Sequence, residues 1–146
     1  MDQTSLARHW FLKTALDYLG TPYVWGGDDP SGFDCSGFVV ECLKSAGLIA
    51  EHEDFTAESL RRKFAACRID KPRAGALLFS LSRRGHIASH VVICLDEFFQ
   101  IGASGGSRVT VDKPSAWKDN AYVRIRPICL VASRYEICDP FTLSEG

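Results

Sequence analysis

One cysteine of this chain is carried to a helix start by a glycine-rich loop. TPYVWGGDDPSGFD ends in Phe33 and Asp34, and Cys35 opens a run in which Phe38, Val39, Cys42, Leu43 and Ala46 share one stripe before Gly47. Unpaired N–H groups and the positive end of the helix dipole favour a thiolate at such a place. Ser36 and Gly37 are small enough to let a substrate backbone approach. The chemistry this suggests is attack on a carbonyl, and that requires a base. Of the four histidines, His9 follows Arg8 on a helical stretch, His52 lies in an acidic loop, and His86 follows Arg83, Arg84 and Gly85. His90 instead opens the apolar run VVICL, where a strand would fix its ring more firmly than a loop. His90 is the expected base, with His86 next in line.

Positioning these groups takes helices first and strands afterwards. The apolar spacing predicts a helix over 6–19, capped by Thr4 or Ser5 and stopped by Gly20, then the cysteine helix over 35–46 and a third over 56–67. Short apolar or alternating runs at 76–81, 89–95, 98–103, 108–111 and 122–130 read as strands, with SAWKDN between the last two. This order implies an α+β domain whose nucleophile helix packs on a mostly antiparallel sheet of about five or six strands. Residues 131–146 carry no pattern and read as a C-terminal extension of a single domain spanning 1–146. GASGG, residues 102–106, lacks phosphate-loop spacing and reads as a rim or turn.

Composition removes several classes of function. Seventeen Lys and Arg balance 18 Asp and Glu, a net charge of −1, so no basic field exists for nucleic acid. No apolar stretch has the form of a signal peptide or approaches the roughly 18 residues of a membrane span. The six cysteines form no CxxC pair and no zinc-finger spacing with histidine, which points to free thiols in a reduced compartment, no metal and no cofactor.

YVWGGDDPSGFDCSGFVVECLKSAG, followed by PRAGALLFS and SHVVICL, resembles the NlpC-type cell-wall peptidases, whose domain has a reduced papain-like fold. The resemblance implies Cys35 as nucleophile and His90 as base. Tyr23 would stand beside the cysteine and polarise the scissile carbonyl, while Asp34 and Ser36 would line a subsite for the free amine of a stem peptide. The implied reaction is hydrolysis of the bond between D-γ-glutamate and a diamino acid in peptidoglycan peptides. Other papain-like acyl transfer (amidase, transpeptidase, acyltransferase) and a non-catalytic wall-binding module are the alternatives. Beyond the resemblance, Trp25 could wall the cleft and Arg84 could hold a substrate carboxylate. With no visible export signal, the expectation is a chain cytoplasmic as made, acting as a phage component, as an effector of a secretion machine or as a cytoplasmic recycling enzyme.

At one position the chain departs from the resembled pattern. The third polar residue of the family, commonly His, falls on Gly102. A substitute depends on the hairpin after His90. A two-residue turn would put Phe99 and Ile101 on the face of His90. A three-residue turn sets Leu95 opposite Phe99 and brings Gln100, Gly102 and Ser104 to that face instead. The second register is expected, because no glycine serves a tight two-residue turn. Gln100 would then accept a hydrogen bond from the imidazole.

Overall fold

The computed structural model describes residues 2–29, 32–82, 86–106, 110–130 and 134–145. Helix α1 (Gln3–Asp17) begins at Asp2, whose carboxylate accepts the Ser5 N–H at 2.7 Å. The cap is therefore Asp2 rather than Thr4 or Ser5. Inside the glycine-rich loop, β1 (Asp28–Asp29) and β2 (Gly32–Phe33) form a small antiparallel ladder that leads into α2 (Cys35–Ser45). Then come α3 (Ala57–Lys63), β3 (Arg68–Ile69), β4 (Leu77–Leu81), β5 (Ala88–Cys94), β6 (Phe99–Ser104), α4 (Lys113–Asp119), β7 (Tyr122–Pro127) and β8 (Tyr135–Cys138). The third helix is shorter than its periodicity suggests, because the chain tightens into a 3-10 turn at Ala65–Cys67.

Six strands form one antiparallel sheet in the order β3-β8-β4-β5-β6-β7. Alternation divides its side chains between two faces. Leu77, Phe79, Val91, Ile93, Ile101 and Ala103 meet Phe11, Phe38, Leu43, Leu60 and Phe64 of the helices in the main core. Leu78, Val92, Cys94 and Ile137 form a smaller cluster on the other face. The fold is α+β, with α2 laid across the middle of the sheet.

Three expectations need revisiting. SAWKDN, placed between two strands and given no element of its own, lies largely in α4, with Asp112 as its cap and Asp112 and Ser115 bonded reciprocally at its start. Of the strand expected at 108–111, Arg108 and Val109 lie outside the described residues, and Thr110 and Val111 belong to no strand. The C-terminal segment is no appendage either. It supplies β8, an inner strand paired to β3 on one side and β4 on the other. The buried Asp139 just after it takes Arg8 at 2.9 Å and Arg73 at 3.1 Å, which ties the segment to α1 and to the approach of β4.

Candidate active site

The cysteine side is built from close backbone contacts. Asp34 caps α2: one carboxylate oxygen accepts the Gly37 N–H at 2.7 Å and the Ser36 hydroxyl at 3.3 Å, and the other accepts the Gly26 N–H at 3.2 Å. Gly37 packs so tightly on the loop that a Cβ there would lie 2.0 Å from the Gly27 carbonyl oxygen. Tyr23 runs beside the cap, its N–H bonded to Ala121 O at 3.1 Å, and its ring is roofed by Gly106. A Cβ at 106 would sit 2.0 Å from that ring, so only glycine lets this backbone pass over the tyrosine.

The histidine side is built from the sheet. His90 is the ladder partner of Ser80, and Ala88 that of Leu81, so Ser89 is an extra residue in a bulge. Bulges increase local twist and re-aim side chains. Here Ala88 turns into the main core while His90 keeps the face of Val92 and Cys94. The β5–β6 ladder covers Ile93 with Ile101 and Cys94 with Gln100, after which the two strands part. From that position His90 lines the space in front of Cys35, with no hydrogen bond between the two side chains. A cavity of about 520 Å³ is lined by Tyr23, Trp25, Asp34, Cys35, Ser36 and His90, with Thr56, Ser104 and Gly106 among its other walls. A second cavity of about 330 Å³ adjoins it at Asp34 and Ser36 and contains Asp54, Thr56 and Ser59.

Burial sets the protonation of this group. It pushes the Cys35 thiol above its ordinary value, against N–H groups of Val91, Ser36 and Cys35 itself. The thiolate expected from the helix start is therefore not the resting form. Desolvation outweighs those N–H bonds. Burial lowers the His90 imidazole below its ordinary 6.5, so the ring is neutral and able to accept a proton. The Tyr23 hydroxyl is pushed up to about 12 by burial first and then by Cys35 and Asp34, which keeps it a donor. Burial, followed in the same direction by Asp54, raises the Asp34 carboxyl against its three hydrogen bonds.

The structure brings Tyr23, Trp25, Asp34, Cys35, Ser36 and His90 to one cavity, and Gly37 to the adjoining one. His9, His52 and His86 are exposed and line neither; His86 pairs instead with Arg134 at 3.1 Å. Arg84 lies outside the described residues. The hairpin has the three-residue turn, with Leu95 N–H bonded to Phe99 O at 2.8 Å, so Gln100 does share the face of His90. No hydrogen bond joins them, however. Gln100 is level with Cys94, four residues from His90, or roughly 13 Å along the strand, and Val92 and Gly102 stand between. A Cβ at 102 would lie 2.5 Å from a methyl of Val92, so the bare position opposite Val92 is filled by valine.

The sequence reading missed Glu58. Its carboxylate accepts two bonds from Arg61 at 2.7 Å, one from Arg62 at 3.0 Å and the Ala88 N–H at 2.8 Å, pinning α3 to the start of β5. The spacing to Arg61 and Arg62 signals a helix-surface pair; nothing in it signals Ala88.

Known proteins share this fold. The NlpC/P60 family model matches residues 20–126. The γ-D-glutamyl-L-lysine dipeptidyl-peptidase of Bacillus subtilis is 35% identical over 81 residues, 56% of this chain and 26% of that protein. The chain spans about a tenth to a third of the length of the curated relatives it matches. The NlpC/P60 domain of the peptidoglycan hydrolase SagA superposes with a TM-score of 0.62 at 28% identity, covering 89% of this chain and 97% of that one. RipD of Mycobacterium tuberculosis, described as a non-catalytic NlpC/P60 domain protein adapted to peptidoglycan binding, shares the fold at a TM-score of 0.64 and 13% identity, covering 90% and 95%. With the family match running from the cysteine loop through the histidine strand to β7, this chain belongs to the NlpC/P60 family.

Proposed function

We propose that this domain is a cysteine peptidase that hydrolyses peptidoglycan stem peptides at the D-γ-glutamyl–diamino acid bond through an acyl-enzyme on Cys35. One observation carries the reading: Cys35 and His90 line one cavity together with Tyr23 and beside an acidic pocket, and burial favours the neutral thiol and the neutral imidazole there. His90 takes the thiol proton as Sγ attacks the γ-glutamyl carbonyl. The oxyanion develops against the first-turn N–H groups of α2 and the Tyr23 hydroxyl. His90 then hands its proton to the leaving amine, and water, deprotonated by the same ring, releases the acid from the thioester. Asp34, with Ser36 and Asp54 near it, holds the free amine of the stem peptide, and Trp25 flanks it. The B. subtilis relative named for a γ-D-glutamyl-L-lysine bond supports that bond class.

A second reading, a wall-binding module without turnover, is favoured by the imidazole itself, which has no hydrogen-bond partner among the described residues. Mass analysis of muropeptides after digestion separates the two. A new pair of fragments ending in D-glutamate and beginning with the diamino acid is expected. Unchanged muropeptides that still bind the protein would establish the second reading, and a different cleaved or exchanged bond would assign another acyl transfer.

A further inference from the structure

His90 is a wall shared by two cavities. Behind it, on the face of the sheet away from the helices, lies a space of about 240 Å³ bordered by Ser80, His90, Gln100, Arg126 and Tyr135. An imidazole that accepts a proton through one nitrogen needs an acceptor for the N–H of the other, or its tautomer and tilt are unfixed. Gly102 offers no side chain, and Gln100 stands two ladder rows away. Ser80 is different, because it is the direct cross-strand partner of His90. Directly opposed residues carry their Cβ atoms about 5 Å apart on the same face. One χ1 rotation then brings a serine hydroxyl within hydrogen-bond distance of the ring. Neither the Ser80 hydroxyl nor the imidazole is bonded to another side chain among the described residues, so nothing competes for either.

Ser80 has a second neighbour in the same row, Tyr135 of β8, its ladder partner on the other side. We infer that Ser80 is the positioning residue of His90, accepting its outward N–H in place of the missing residue at 102, with Tyr135 steadying the serine from beyond. The row Tyr135, Ser80, His90 crosses three adjacent strands. Its outer member lies beyond the residues 20–126 that the family model matches, so the C-terminal strand takes part in the site. This rests on His90 being the base.

The test reads the ring directly as well as turnover. In ¹⁵N-resolved NMR of the full chain, His90 is expected to hold one tautomer in the unaltered protein and a mixture in Ser80→Ala. Ser80→Ala should lower kcat about 10-fold with KM little changed and move the acid limb of the pH profile, whereas Ser80→Thr keeps the hydroxyl and should recover most of the rate. Tyr135→Phe should give a smaller loss. In a His90→Ala background Ser80→Ala should add nothing. An unaltered tautomer in Ser80→Ala, or equal loss in Ser80→Ala and Ser80→Thr, would overturn the assignment. If His90→Ala leaves turnover unchanged, the proposed function fails; if His90→Ala abolishes turnover while Ser80→Ala leaves rate and tautomer alone, only this inference fails.

Discussion

The two walls of the cavity are held by different physics. On the cysteine wall, Asp34, Gly37, Gly27 and Gly106 fix Cys35 and Tyr23 through cap bonds and backbone contacts that tolerate no added atom. On the histidine wall, a bulged strand aims His90, and its start is pinned by one carboxylate, Glu58, shared among two arginines and a backbone N–H. One wall is set by shape and the other by charge. Cys35 can thus be placed rigidly by the chain's own backbone, while His90 is left to sheet geometry and to neighbours that titrate.

The sharpest way to break this contrast is to remove its two poles. Cys35→Ala should abolish turnover with the melting temperature unchanged, since the cap bonds of α2 do not involve the thiol. A thiol label separates the same pole from the bystanders. Cys129, the exposed cysteine, should react readily in the folded protein, and Cys35 should react at a rate that falls when His90 is replaced. A Cys35 rate indifferent to His90 would mean the walls do not communicate.

His90→Ala should cost about 100-fold or more in turnover, the scale of losing a general base. The intact enzyme should keep its acid limb below 6.5, because the lowered imidazole stays neutral further into acid. For stability the sign is the same: the unfolded chain binds the proton first, so stability falls as pH drops through 6.5 and levels off below the folded value. A limb above 6.5 would show that the ring is paired with an anion at rest.

The acidic pocket of the cysteine wall is probed more gently. Asp34→Asn keeps the acceptor for the Gly37 N–H and removes the charge, so the fold should hold while the preference for free over N-acetylated stem peptides shrinks by about 10-fold. Equal preference in both proteins would detach the carboxylate from the amine. Asp34→Ala would blur the result by also costing the cap about 1 kcal/mol.

The smallest effect on rate is expected from Glu58→Gln. The arginines hold this carboxyl at about 2, far below the 4.5 it has when free. Its contribution is present above 4.5 and lost as pH falls towards 2. The glutamine variant should lose about 1–2 kcal/mol at neutral pH and show a flatter acid denaturation curve, with turnover within a few-fold. Identical acid curves would remove Glu58 from the account of the histidine wall.

Much of this was legible in the chain. Cys35 could be placed because a glycine loop and a helical period abut at one residue, and the hairpin register because residues 96–98 hold no glycine for a tighter turn. Three things were not legible. Gly106 looks like any loop glycine until the fold sets Tyr23 beneath it. Ala88 and Glu58 lie 30 residues apart and meet only through the sheet. β8 has four residues, only two of them buried, and takes its strand conformation from the β3 and β4 edges rather than from its own pattern. The sequence also suggests a preformed thiolate, because a helix start is local and visible whereas the burial that outweighs it is made by distant residues.

The position of β8 bears on how the domain is assembled. β3 and β4 are close in sequence, yet the strand between them comes from more than fifty residues beyond β4, so the sheet cannot be completed hairpin by hairpin. Such long-range insertion slows folding. Until it happens, β4 offers the bare edge of an apolar strand, LLFSL, to any other extended chain. A late-arriving β8 makes aggregation during refolding a race against intramolecular closure, one that dilution should favour and a nicked loop before Tyr135 should lose.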